Sequence, residues 1–193
     1  GGSTADDENK SGYIGNNYAT KARTDINENY ELVGVPENSS GEYIDGNIEV
    51  IYYYKLKDTS VLVHHYLEGT TTKLAEDETK TGYVGDMYAT TAKEGISASY
   101  ELVSEPENSS GNYIEGNIEV IYYYKAIPAS VLVHHYLEGT TTKLADDVTF
   151  DGIVGDNYTT GVAPVDSKYE VVAIPANANG KMTREQIVVI YYY

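Results

Sequence analysis

The chain has 193 residues, 41% of them apolar, and sets 30 acidic side chains against 13 basic ones for a formal net charge of −17. Such a surface repels nucleic-acid phosphates and anionic lipid headgroups alike, which excludes both as partners. With no cysteine, no tryptophan, one phenylalanine and 21 tyrosines, the chain has no disulfide scaffold, thiol nucleophile or zinc–thiolate site, and its core falls to β-branched residues and tyrosine.

Read in chain order, the sequence is written almost three times. Gly12-Tyr13-Ile14-Gly15 returns seventy positions later as Gly82-Tyr83-Val84-Gly85, and Val61–Ala75 recurs letter for letter as Val131–Ala145. Each copy closes on a triple tyrosine: Ile51-Tyr52-Tyr53-Tyr54, Ile121-Tyr122-Tyr123-Tyr124 and Ile190-Tyr191-Tyr192-Tyr193. A repeat of this length is too long for a solenoid turn and suits a small self-contained domain. The expected domains are therefore 1–57, 58–127 and 128–193. Tandem copies multiply weak contacts or add length; they seldom build one active site.

The first copy has no counterpart of Val61–Lys73, because Thr4-Ala5-Asp6-Asp7-Glu8 already aligns with Leu74-Ala75-Glu76-Asp77-Glu78. Its closing segment, Ile48–Tyr54, is expected to lack a covering strand. Gly1-Gly2-Ser3 reads as an expression scar, and the chain as a piece of a longer protein without signal peptide, membrane span or wall anchor.

In the second copy, Val61–Leu67 is short, β-branched and aromatic, and reads as a strand turning at Glu68-Gly69 into a second strand over Thr70–Leu74. Asp86–Glu94 is the one stretch with helical potential, Asp86 suiting an N-cap and Gly95 a stop, although Thr90-Thr91 is poor helix material. Tyr100–Val103 reads as a strand and Pro106–Gly111 as a loop. The closing strand Ile118–Lys125 presents Ile118, Val120, Tyr122 and Tyr124 on one face. The other face holds Glu119, Ile121, Tyr123 and Lys125. A strand apolar on one side and half-apolar on the other belongs in the middle of a sheet. The linkers Leu56–Ser60 and Ala126–Ser130 are short enough to favour an extended rod.

The third copy diverges. It is one residue shorter between Tyr158 and Tyr169, and Lys181-Met182-Thr183-Arg184 stands where copy two has Asn112-Tyr113-Ile114-Glu115.

These segments resemble the MucBP repeat, the mucin-binding-protein domain of Gram-positive surface proteins. The matching elements are the opening strand with Val61, Val63, His65 and Tyr66, the Gly82–Thr90 segment, Tyr100–Val103 with Pro106, and the closing Val-Ile-Tyr-Tyr-Tyr-Lys. The resemblance covers nearly the whole chain three times. It implies a mostly β (α+β) architecture of tandem β-grasp, ubiquitin-like domains, each a mixed sheet with one short helix whose first and last strands pair in parallel. It implies no catalytic residues, no cofactor and no enzymatic activity. It also implies an extracellular, cell-wall-anchored location.

Adjacent residues of a strand point to opposite faces, so His64-His65 and His134-His135 cannot chelate one ion between neighbours, and no metal site is expected. The acidic runs Asp6-Asp7-Glu8, Glu76-Asp77-Glu78 and Asp146-Asp147 lack the spacing of a calcium loop and read as solvated turns. Asn38 and Asn108 each begin a glycosylation sequon that a turn explains equally well. Lys73 and Asn117 are the pair to examine for an isopeptide crosslink.

The best candidate for binding is an aromatic stripe on the outer sheet face. With first and last strands adjacent, it holds His64, Tyr66 and Tyr123 in copy two and His134, Tyr136 and Tyr192 in copy three, beside Leu62, Ile121, Leu132 and Ile190. Tyrosine rings stack on sugar rings and their hydroxyls satisfy sugar hydroxyls. The expected partners are host mucin glycans or another glycoprotein, bound weakly per unit with avidity from repetition, and the neighbouring repeats of the same chain. The rival expectation is a stalk that binds nothing and projects a distal domain.

Overall fold

The structure, a computed structural model, describes residues 4–193; Gly1-Gly2-Ser3 lie outside the described residues. Copy one contributes four three-residue strands: β1 (Asn17–Ala19), β2 (Tyr30–Leu32), β3 (Ser40–Glu42) and β4 (Tyr54–Leu56). Copy two contributes β5 (Asp58–Leu67), β6 (Lys73–Tyr83), β7 (Met87–Ala89), β8 (Tyr100–Leu102), β9 (Ser110–Asn112) and β10 (Asn117–Ala126). Copy three contributes β11 (Pro128–Tyr136), β12 (Lys143–Ile153), β13 (Asn157–Thr159), β14 (Asn179–Lys181) and β15 (Ile187–Tyr192).

The sheets are small and repeat the same plan. Copy two holds a four-stranded sheet in the order β6-β5-β10-β8, copy three a three-stranded sheet in the order β12-β11-β15, and each copy adds a short pair, β1-β3, β7-β9 or β13-β14. In copy three β11 runs antiparallel to β12 and parallel to β15, with Val131 opposite Ile187 and Tyr136 opposite Tyr192. That is a mixed sheet in which the first and last strands of one copy are neighbours, as expected.

Alternation along β11 and β15 builds the core. Val131, Val133 and His135 face inward with Val189 and Tyr191, all nearly or fully buried, and Tyr158, Ala178, Met182 and Tyr193 complete the cluster. At about 25 cal/mol per Å² of apolar area removed from water, each buried valine contributes roughly 1.5–3 kcal/mol.

Four expectations need correction. No helix occurs among the described residues, and the segment expected to be one per copy, Asp86–Glu94, begins instead with β7. Gly85, at φ 96°, turns β6 into β7; Met87–Ala89 then pairs with Asn112–Ser110, and the buried Tyr88 donates its hydroxyl to the Asn108 carbonyl at 2.9 Å. Cross-strand pairing and one buried ring thus override a weak local helix signal. The second strand starts at Lys73 rather than Thr70: Thr70 closes a turn, its backbone N–H and side-chain hydroxyl both donating to the Leu67 carbonyl.

The linkers shrink to one residue each. β4 passes into β5 through Lys57 alone and β10 into β11 through Ile127 alone. Lys57 donates its N–H to Asn29 and accepts from Val84, and Ile127 donates to Ser99 and accepts from Val154. One backbone unit therefore serves two successive copies, which leaves it no freedom to act as a tether.

The closing strand is central in copy two but lies at the edge in copy three. In copy two β8 pairs with β10 over Tyr100–Leu102 against Ala126–Tyr124. In copy three the shortened segment forms no such ladder, and a single bond, Val172 N–H to the Tyr192 carbonyl at 2.8 Å, marks its place.

By contact density the chain falls into two compact units. One takes the chain up to Val63 with Glu78–Thr90 and Glu107–Val120; the other takes His64–Asp77, Thr91–Pro106 and Ile121–Tyr193.

Candidate binding surface

The triple tyrosine divides its labour by strand alternation. In copy three Tyr191 and Tyr193 point inward and are nearly buried, while Tyr192 points outward and is 37% exposed. Burying a hydroxyl without a partner costs more than burying a plain ring, so each inner tyrosine needs an anchor. Thr160 donates to the Ala178 carbonyl (2.7 Å), and the Tyr191 hydroxyl donates to Thr160 Oγ1 (2.9 Å). The Tyr193 hydroxyl accepts the Ala163 N–H (3.0 Å) and lies 2.9 Å from His135 Nδ1. Copy two repeats this arrangement, Tyr124 accepting from Lys93 N–H at 2.8 Å and meeting His65 Nδ1 at 2.9 Å. His65 and His135 are therefore core residues. Burial holds His135 below the usual imidazole value.

The outer face carries the expected stripe in copy three. The parallel register sets His134 opposite Ile190 and Tyr136 opposite Tyr192. The His134 and Tyr136 rings stack with centroids 4.8 Å apart at 15°, and Tyr136 meets Tyr192 at 6.5 Å and 52°. Copy two matches it: His64 stacks on Tyr66 at 4.8 Å and 17°, and Tyr66 meets Tyr123 at 6.5 Å and 50°. All six residues named from the sequence thus form two triads of touching rings. They differ in exposure: Tyr123 and Tyr192 are each 37% exposed, Tyr66 and Tyr136 are half-buried, and His64 is buried at 7% rather than open on the surface.

A carboxylate and a lysine complete each triad; Asp77 and Asp147, expected in solvated turns, lie instead within β6 and β12. Asp147 Oδ1 lies 2.8 Å from His134 Nδ1 and its Oδ2 accepts Lys143 Nζ at 2.8 Å. Asp77 holds His64 at 2.8 Å and Lys73 at 3.0 Å in the same way. Lys143 and His134 hold Asp147 below the ordinary carboxylate range, and His64 and Lys73 do so for Asp77. The signal was present as Lys-x-x-x-Asp in both copies, at the end of the segment repeated without change. The result is an aromatic shelf with an ion pair at one end, suited to stacking and hydrogen bonding.

The remaining candidates resolve separately. His64 and His65 lie on opposite faces with different partners, and no group of three or more His, Asp or Glu able to hold a metal occurs among the described residues. Lys73 is engaged by Asp77, and Asn117 Oδ1 accepts from Ser60. The sequon asparagines are clamps: Asn38 and Asn108 donate Nδ2 to the Glu49 and Glu119 carbonyls, and Asn177 donates to Val188 at the same place in copy three.

Comparison with known proteins matches this plan of repeats. The model of the MucBP domain matches residues 1–55, 60–125 and 130–193. Internalin J of Listeria monocytogenes serovar 1/2a is 31% identical over 194 residues, which is 98% of this chain and 22% of the relative. Internalin J of serotype 4b is also 31% identical, over 100% of this chain and 21% of the relative. The chain thus spans about a fifth of the length of these curated relatives. Among solved structures, the type 2 repeat of the mucus binding protein MUB from Lactobacillus reuteri covers 69% of this chain and 98% of its own at 17% identity and a TM-score of 0.30. The crystal structure of Mub-RV covers the same shares at 13% identity and a TM-score of 0.30.

Proposed function

Because the chain belongs to the MucBP domain family, we propose that it is the repeat segment of an extracellular, wall-anchored adhesin with no enzymatic role. Its units 1–57, 58–127 and 128–193 are β-grasp domains, of which the last two hold host mucin glycans or another glycoprotein weakly. The observation that supports this reading is the outward ring triad, built twice from identical opening strands. A pyranose stacked on Tyr136 or Tyr192 gains apolar contact, and the Asp147 carboxylate stands ready to accept its hydroxyls. One such contact is worth little; two per chain and many chains per cell supply avidity.

The test is a glycan array probed at high protein density with this chain and with its Tyr136→Ala, Tyr192→Ala double variant. The chain should bind a subset of neutral mucin-type glycans, and the variant should lose at least about tenfold of the signal. Equal signal from both proteins refutes the stripe. Absence of binding anywhere on the array favours a second reading, the non-binding stalk, which the one-residue junctions at Lys57 and Ile127 support.

A further inference from the structure

Copy three carries a groove at the place where its siblings set a tyrosine ring over a glycine. In copy two the Tyr113 ring lies over Gly82, where an added Cβ would meet Tyr113 Cε2 at 2.5 Å, and it packs on Tyr88 at 5.4 Å. Copy one repeats this with Tyr43 over Gly12 and Tyr18 at 5.5 Å. Copy three replaces that ring with Met182, whose sulfur approaches Gly152 together with Asp156 Oδ2. A groove of about 430 Å³ opens there, lined by Phe150, Asp151, Asp156, Asn157, Tyr158 and Met182 among others.

The lining changes in a directed way. Lys10-Ser11 in copy one and Lys80-Thr81 in copy two become Phe150-Asp151 in copy three. A cation is exchanged for the only phenylalanine of the chain, 41% exposed at the rim, and a carboxylate is added next to it. Asp156 accepts the Ile153 N–H at 3.0 Å through Oδ2. Asp151 has no ion-pair partner among the described residues. Lys181, which stands where copy two has Asn112, brings a cation back and lies opposite Asn157 in the β13–β14 ladder. Exchange of a tyrosine for a methionine, gain of an exposed ring and gain of one net negative charge over copy two coincide at one place.

We propose that this groove binds the arginine side chain of a basic peptide segment. A guanidinium is planar, is only weakly hydrated, stacks on an aromatic face and pairs with carboxylates through two parallel bonds. Phe150 supplies the face, Asp151 and Asp156 supply the negative charge, and Met182 and Tyr158 provide an apolar floor for the methylene stem. The site is separate from the outer-face triads and does not depend on what they hold.

The experiment is an amide-shift NMR titration of the full chain with the capped tripeptide acetyl-Gly-Arg-Gly-amide. The amides of Phe150, Asp151, Asn157 and Thr159 should shift and saturate, and their counterparts from Lys80 to Ala89 should stay still as an internal control. Exchanging Phe150→Lys with Asp151→Thr, the residues of copy two, should weaken binding at least about tenfold. Met182→Tyr, which restores the ring of copies one and two, should do the same without touching the charges. Added salt should weaken the parent's binding. Equal shifts in copy two, no shift at millimolar peptide, or saturation by galactose or N-acetylglucosamine in place of the peptide would each overturn the assignment.

Discussion

Tyrosine gives the inner face what phenylalanine would not, a polar end that ties one strand to a distant loop. Tyr193 joins β15 to Ala163 and His135, and Tyr124 joins β10 to Lys93 and His65. Burial of the imidazole in this arrangement sets the pH response. Desolvation lowers the pKa of His135, opposed by the charge of Asp147 and assisted by that of His134. The unfolded chain then binds the proton more readily, so stability present above about pH 6.5 is lost as pH falls through the folded value. Asp77 and Asp147, also lowered, act with the same sign below the ordinary carboxylate value. Melting of the chain should therefore shift downward between about pH 7 and about pH 5, and His135→Gln should flatten that slope. Should the His135 ring of the folded parent titrate at or above the usual imidazole value by NMR, this account fails. The in–out order of the three tyrosines could be read from strand alternation. Their anchors could not, because Tyr193 meets a loop residue and a histidine far away in sequence.

Identical strands in different company show how much an element owes to its partner. Asn47–Lys55 and Asn117–Lys125 have the same nine letters. In copy two they begin the ten-residue β10, paired between β5 and β8, with Val120, Tyr122 and Tyr124 all at most 3% exposed. In copy one only Tyr54–Leu56 is strand, Val50, Tyr52 and Tyr54 are only partly buried, and Tyr53 is 66% exposed where Tyr123 is 37%. The expectation that Ile48–Tyr54 lacks cover follows from sequence alignment alone. Backbone amides of Val50–Tyr54 should exchange with solvent at least about tenfold faster than those of Val120–Tyr124. Equal protection in dilute monomer would show that another segment has taken the empty place. The absent helix was harder to foresee. Asp86 and Gly95 are sound start and stop signals, and only Thr90-Thr91 argued against them. What decided the matter was the pairing of β7 with β9 and the burial of Tyr88, both set by residues twenty or more positions away.

At the scale of the whole molecule, the question is how load passes through a tandem chain. β10 enters β11 through Ile127 with no slack, and β4 enters β5 through Lys57 in the same way. Within copy three, tension reaches the start of β11 at Pro128 and the end of β15 at Tyr192. Those strands are parallel and paired from Val131–Ile187 to Tyr136–Tyr192. Pulling parallel neighbours from opposite ends shears their cross-strand bonds together, whereas antiparallel neighbours pulled from one end open bond by bond. A hydrophobic row resists the same displacement, because sliding by one residue would carry Val131, Val133 and His135 to the wrong face. Each complete copy should therefore resist until it fails at once. Single-molecule pulling on this chain should give one discrete peak for each of copies two and three, with copy one, which has only the short β2–β4 pair at its closing strand, yielding earlier and at lower force. Smooth extension at low force would mean that the parallel pair is not the mechanical element, and the stalk reading would lose its physical basis.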